Sequence, residues 1–85
     1  MANNVVLNTI QLTGDYQPLA AASLVATVTL SAPPANTAPT TLRTPDGSTV
    51  ELVPGEWHTL ERVDLARLEA KGEVGDVLSI VGGSW

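Results

Sequence analysis

The stretch SLVATVTLS (residues 23–31) decides the fold class of this chain. Its apolar positions recur at every second residue, and the positions between them carry serine, threonine or valine. Period-two alternation with many β-branched residues is typical of a strand that buries one face. The residues predicted to face the core are Leu24, Ala26, Val28 and Leu30.

Similar segments follow one another along the chain, separated by residues that form turns. VVLNTIQLT (5–13) alternates in the same way, with Val6, Ile10 and Leu12 on one face. Segments 40–44 and 49–53 flank PDGS, in which proline presets φ, aspartate bonds its own backbone and glycine accepts a positive φ; this predicts a hairpin. Further turns are predicted at Pro54-Gly55 and at Gly75-Asp76, before a buried strand over 77–81.

Two stretches depart from this pattern. SAPPANTAP (31–39) has three prolines and no large apolar residue, which predicts an ordered or semi-rigid loop. DLARLEAKG (64–72) fits a short helix capped by Asp64, but it also fits a turn followed by a strand with Leu68 and Ala70 facing inward. We favour the turn and strand, because strands and tight turns lie on both sides.

These elements predict a single all-β domain over residues 1–85. Six to seven short strands, with turns about every ten residues, favour a small antiparallel β-sandwich or barrel. A short helix or turn near 64–71 stays an alternative within it. We expect residues 82–85 to form a C-terminal tail that begins with two glycines.

The composition points to a thinly stabilised core. The chain has 85 residues, no cysteine, no phenylalanine and one histidine, which excludes disulfides and a thiolate zinc site and argues against a structural metal. A core of this size typically leaves a margin of about 3–5 kcal/mol. We therefore expect reinforcement by oligomerisation, as a homo-oligomer or on another protein.

The charge argues against several partners. A net charge of −5 with four basic residues is unsuited to nucleic acid, whose backbone is bound by clustered Lys and Arg. The longest apolar run is about five residues, against the roughly 18 that a membrane-spanning helix needs. The start MANNVVLNT lacks the basic and apolar regions of a signal peptide, so we expect a protein made in a cytoplasm and not exported by the Sec route.

PGEWHTLERVDL (54–65) holds the single histidine, but it does not predict a catalytic or metal site. As a strand it places Glu56, His58 and Leu60 on one face and Val63 on the other. One histidine with one carboxylate neighbour falls short of the ligands that a metal needs and of the partners that a catalytic histidine needs. We interpret His58 as a surface residue, with a pH-sensitive interface as the alternative.

No other group of residues predicts an enzyme or a cofactor. The acids are interpreted as a solvated face, because paired catalytic carboxylates need a deep cleft. Asp46-Gly47 and Gly75-Asp76 lack the alternating spacing of a calcium loop, the glycines lack a phosphate-binding pattern, and no serine stands in a nucleophile-elbow motif. The acids in question are Glu51, Glu56, Glu61, Asp64, Glu69 and Glu73.

The candidate sites are interaction sites. A terminal tryptophan, Trp85, has a large ring to bury, either on a partner or on the chain's own core. The proline-rich loop and the N-terminal strand are polar or extended segments of the kind that lie on a neighbouring subunit. The predicted interface residues are Trp85, Pro33, Pro34, Asn36, Pro39, Asn4 and Val5.

Residues 31–85 also resemble small β-rich structural proteins of tailed bacteriophages. The resemblance rests on SAPxxN, PDGSTVELVPGE, RVDL and KGxxGDVLSIVGG, which are mostly turn signatures. It implies a non-enzymatic virion component, such as a capsid decoration or head-associated protein, made in the host cytoplasm and partnered by the major capsid protein or another virion protein. The alternative is a small carbohydrate- or peptide-binding β-module that uses Trp57 or Tyr16 as a stacking platform.

Overall fold

The fold is known from a computed structural model, which describes residues 4–84 and the side chains of residues 5–83. Over that range the chain forms eight strands and no helix. The strands are β1 (Asn4–Gln11), β2 (Gln17–Pro18), β3 (Val25–Ser31), β4 (Thr40–Arg43), β5 (Thr49–Leu52), β6 (Trp57–Asp64), β7 (Glu69–Lys71) and β8 (Val77–Ser84).

The strands form two antiparallel sheets of four. One, called sheet A here, has the order β1-β8-β3-β6, and the other, sheet B, has the order β2-β7-β4-β5. This arrangement is the jelly-roll form of a β-sandwich, in which each sheet combines strands from the beginning and the end of the chain. The predicted all-β antiparallel fold is confirmed. The strand that the sequence did not reveal is β2, since two residues that include a proline carry no alternation.

The core lies between the sheets and follows the predicted alternation. On β3 the residues Ala26, Val28 and Leu30 are buried while the residues between them are not. Leu78 and Ile80 of β8 are fully buried beside them. Sheet B contributes leucines and an alanine from the other side, so both sheets bury a single face. The core residues of sheet B are Leu42, Leu52 and Ala70.

Residues 64–72 form the predicted turn and strand. Asp64 accepts hydrogen bonds from the backbone N–H of Leu24 and of Ala66, both at 3.0 Å, and from the hydroxyl of Ser23 at 2.8 Å. These bonds end β6 and start the turn that leads to β7. A side chain that bonds its own backbone two residues on favours a turn over a helix interior.

A bulge in β6 corrects the predicted faces of this strand. Ala26 pairs with Val63 and Val28 pairs with Leu60, so that Glu61 and Arg62 stand opposite Thr27 alone. Arg62 adopts a φ of 52°, and its N–H donates to the hydroxyl of Thr27. The extra residue in the bulge reverses which residues of β6 face the core after it. Leu60 and Val63 therefore both pack on the core, and the prediction that they face opposite ways was wrong.

The predicted C-terminal tail is also corrected. Residues 82–84 continue β8, because the strand pairs on both sides, with Val6 and Val28 opposite Gly82 and with Val5 and Thr27 opposite Gly83. The two glycines allow close packing at this end of the strand. A Cβ atom at Gly82 would lie 2.7 Å from Cα of Val28 and would overlap the carbonyl oxygen of Thr27.

We expect Gly82→Ala to lower the free energy of unfolding by about 3 kcal/mol, because the added methyl group meets backbone that cannot move aside without breaking the ladder. Ser79→Ala, a small change on the opposite face of the same strand, is the control and should stay within about 0.5 kcal/mol. Urea unfolding measures both. Equal stabilities for the two variants would show that β3 and β8 do not approach this closely.

Candidate functional site

The structure places the predicted interface residues in different surroundings. Trp85 lies outside the described residues, and of Asn4 only the backbone, paired with Ser84, is described. Val5 points outward from β1 with 75% of its surface exposed. In the loop before β4, Pro34 and Pro39 are exposed and Pro33 is half-buried.

Asn36 is committed to holding this loop in place. Its side chain is buried, donates to the carbonyl oxygen of Val77 at 2.7 Å and accepts from the N–H of Val77 at 3.0 Å. Two bonds to one residue imitate a neighbouring strand, so Asn36 caps the ladder where β8 begins.

Asp76, which the sequence suggested only as a turn residue, also holds this loop in place. The buried carboxylate accepts hydrogen bonds from the N–H of Thr37 at 2.9 Å, the hydroxyl of Thr37 and the N–H of Ala38 at 3.1 Å. The partners are about 40 residues apart in sequence, and no local pattern signals such a contact. Together with the buried methyl group of Ala32, the side chains of Asp76 and Asn36 explain why a proline-rich loop without a large apolar residue is ordered.

The outer face of sheet A is the most distinctive surface of the molecule. Pairing places the outward residues of β1, β8 and β3 side by side, and none of them is charged. The edge strand β6 adds Trp57 and Thr59 before its acids begin at Glu61. We call this surface the uncharged face. Its members are Val5, Leu7, Thr9, Gln11, Val77, Ser79, Val81, Val25, Thr27, Thr29, Ser31, Trp57 and Thr59.

Exposed apolar side chains are concentrated on the uncharged face. Of the eight large apolar side chains that are mainly exposed within the described part of the chain, five lie on it. Single exposed apolar residues are ordinary on protein surfaces, but five on one face of a sheet are a concentration of the kind found at interaction surfaces. The five are Val5, Leu7, Val25, Trp57 and Val81.

The outer face of sheet B has the opposite character. Arg43 and Glu69 form an ion pair at 2.7 Å, next to Lys71 on the neighbouring strand. The guanidinium of Arg43 lies 3.7 Å from the ring centroid of Tyr16, and the ammonium of Lys71 lies 4.9 Å from it. The ring of Tyr16 is thus engaged by two cations. A ligand that stacked on Tyr16 would compete with them.

His58 lies on the surface, as predicted. Its Nε2 is 3.0 Å from a carboxylate oxygen of Glu56, and both side chains are partly exposed. Glu56 also accepts the N–H of Val53, and these two contacts hold the pKa of the Glu56 carboxyl below its usual range. Within residues 4–84 no three or more His, Cys, Asp or Glu side chains group in a way that could hold a metal ion.

Asp46 performs the turn chemistry expected of PDGS. Its carboxylate accepts from the hydroxyl of Thr44 and from the N–H of Ser48, and these bonds lower the pKa of the Asp46 carboxyl. Gly47, with a φ of 91°, completes the turn, and β4 and β5 pair on either side.

A cleft of about 360 Å³ opens at the edge of the sandwich where β6 meets the β4–β5 hairpin. Four apolar residues line it together with His58 and hydroxyl-bearing residues of the hairpin and of β6. Among the residues that line it, none combines a nucleophile with a hydrogen-bonded base. The apolar residues of its walls are Leu42, Val50, Leu60 and Leu68.

No helix in the part of the chain that the structure describes is long and apolar enough to cross a membrane.

We expect Asn36→Ala to cost about 2 kcal/mol of unfolding free energy, because both backbone groups of Val77 lose their partner at once. Pro34→Ala, an exposed change in the same loop, should stay within about 0.5 kcal/mol. Denaturant titrations of the three proteins measure the difference. A stable Asn36→Ala protein would mean that the loop does not depend on this latch.

Acid should destabilise the fold through Asp64. The hydroxyl of Ser23, followed by the N–H groups of Leu24 and Ala66, keeps the pKa of the Asp64 carboxyl below its ordinary 3.8. The unfolded chain therefore takes up the proton first, so the contribution of Asp64 is fully present above pH 3.8 and is lost as the pH falls through the lower folded value.

The test compares urea midpoints between neutral pH and pH 2.5 or so for the unmodified chain and Asp64→Asn. We expect Asp64→Asn to be less stable at neutral pH and to lose less stability below pH 4 or so. Asp15→Asn, at an exposed bend, is the control and should keep the original pH profile. If Asp64→Asn lost as much stability at acidic pH as the unmodified chain, the prediction would be contradicted.

Comparison with protein families, with curated proteins and with solved structures finds no match to this chain. The geometry and charge distribution of the described residues therefore carry the functional inference.

Proposed function

We propose that this protein is a non-enzymatic structural component of a protein assembly and that it docks through the uncharged face. In its specific form the proposal is a phage capsid decoration or accessory protein, in which each copy bridges neighbouring virion subunits. The partner would be the major capsid protein or another virion protein, and the chain would reside in the virion.

The observation that carries the proposal is the charge asymmetry of the sandwich. The chain has 13 charged Asp, Glu, Lys and Arg residues, yet none stands among the outward positions of β1, β8 and β3. Burying this face removes apolar area from water, at about 25 cal/mol per Å², without desolvating an ion. A surface that stayed in water would gain nothing from excluding charge.

The rigidity of the scaffold supports an adhesive role. Pairing on both sides holds β8, and Asn36 and Asp76 fix the longest loop, so little order remains to be imposed on binding. A small rigid face gives modest affinity for each copy. Repetition over many equivalent sites multiplies that affinity through avidity.

The second candidate, a carbohydrate- or peptide-binding module, is favoured by one observation. The indole of Trp57 is 63% exposed on the uncharged face, where a sugar ring could stack. Its neighbours across the strands, Ser31 and Ser79, offer only hydroxyl groups, whereas a sugar site usually adds carboxylate or amide groups that fix the ligand's orientation. The protein-docking function is therefore the better supported of the two.

The proposed function is tested on virions purified by density gradient from cells that produce the phage with either the original or a variant gene. We expect the original chain to remain with the particles in a fixed ratio to the major capsid protein. Leu7→Glu should lower the bound amount at least tenfold or so, because it buries a carboxylate without a partner. Val74→Glu is the matched control, since Val74 is 72% exposed against 71% for Leu7 but lies in a turn away from the face.

Absence of the original chain from the particles would contradict the virion assignment. Equal retention of the Leu7→Glu and Val74→Glu chains would exclude the uncharged face as the docking surface. A glycan array that gives hits abolished by Trp57→Ala would favour the second candidate.

A further inference from the structure

We infer that a second copy of this chain covers the uncharged face, so that two molecules pack back to back about a twofold axis through their A sheets. The inference rests on the proposed function in one respect, namely that this face is a protein-docking surface. It specifies that partner as another copy of the chain, which under the proposed function is itself a virion protein, and it adds the geometry of the contact.

Charge selects a copy of the chain as the occupant. The chain carries a net charge of −5, so a basic partner would be recognised by carboxylates, and the outward residues of β1, β8 and β3 include none. A copy presents the same uncharged surface. In a back-to-back pair the charged B sheets would stand about 30 Å apart, from three layer spacings of about 10 Å, which is well beyond the Debye length of about 8 Å.

The area of the face is sufficient for a symmetric pair. Strands of seven or eight residues at about 3.3 Å per residue give a length of about 25 Å, and the three strands β1, β8 and β3 at about 4.8 Å give a width of about 14 Å, to which Trp57 and Thr59 add about 50 Å². Two such faces present about 800 Å² of flat area. Projecting side chains such as Leu7, Val81 and Trp57 raise the accessible area above this flat value, to about the 1,000 Å² at which specific interfaces begin.

The relief of the face is self-complementary. Leu7 and Val81 are directly opposite each other on β1 and β8, and Thr29 extends this row on β3. The adjacent row consists of Thr9, Ser79 and Ser31. Its central side chain, Ser79, is smaller than Val81 at the centre of the first row. The row of larger side chains forms a ridge, and the row of smaller side chains forms a furrow beside it. The ridge of one copy can therefore pack into the furrow of the other, and a twofold axis produces this contact twice.

One edge of the furrow is closed by a large side chain. Trp57 lies on the edge strand β6 and pairs with Ser31 of β3. Its exposed indole therefore stands at the end of the row formed by Thr9, Ser79 and Ser31. Aromatic rings at such positions contribute strongly to protein interfaces. Trp57 would thus limit the lateral shift of one sheet over the other.

The test is sedimentation equilibrium of the full chain over a wide concentration range. We expect the unmodified protein to approach twice its 8.8 kDa mass. Val81→Glu should raise the dimer dissociation constant at least about a hundredfold, because the symmetric contact would bury two unpaired carboxylates. Val53→Glu is the matched control, since Val53 is 52% exposed against 53% for Val81 and lies in a turn.

Leu7→Glu provides a second variant on the edge strand β1, in case a glutamate at the centre of sheet A unfolds the protein; circular dichroism and thermal melting identify the folded variants. Dimers lost in a folded Val81→Glu or Leu7→Glu protein, and kept in Val53→Glu, support the inference. A monomer at every concentration overturns it, and so does a dimer that survives both face variants.

The two proposals fail in distinguishable ways. A monomeric chain that leaves virions when Leu7 is replaced by glutamate overturns the second copy as occupant and leaves the docking function standing. A face-dependent dimer that is absent from virions overturns the virion assignment and leaves the twofold contact standing.

Discussion

The pairing of β8 on both sides is the constraint on which the rest of the structure depends. This last strand lies between β1 and β3 and joins the two ends of the chain in one sheet. It needs a residue without a side chain at Gly82, where the backbone of β3 approaches closely. Its alternation then determines both surfaces of sheet A, because Leu78 and Ile80 point into the core while Ser79 and Val81 point out.

The sandwich holds its order without disulfides because polar side chains replace cross-links. Asp64 joins the start of β3 to the end of β6, and Asp76 and Asn36 join the long loop to the start of β8. Each of these side chains bonds backbone groups that no strand partner satisfies. Bonds of this kind are costly to lose, since the backbone groups that remain cannot find another partner in a packed structure.

The outer faces of the two sheets differ in character: one carries charged side chains, and the other exposes apolar side chains. Sheet B keeps its charges in water, with the Arg43–Glu69 pair and the cations around Tyr16. The outward positions of β1, β8 and β3 in sheet A carry no charge, and apolar side chains such as Leu7 and Val81 are exposed there. Under both proposals the uncharged face is buried against a protein while the charges of sheet B stay in water, so that docking desolvates none of those ions.

Alternation and turn chemistry in the sequence alone determined the class of the fold. Both are local properties of the chain, so the segment around Val28, the PDGS hairpin and the turn at Asp64 were predictable from the residues themselves. Only the tertiary structure decided the bulge at Arg62, the inclusion of residues 82–84 in β8 and the loop latch of Asp76. The uncharged face belongs to the same group, because its members come from four strands that are distant in sequence. Strand order and register bring those residues together, and both depend on long-range pairing that no local pattern encodes.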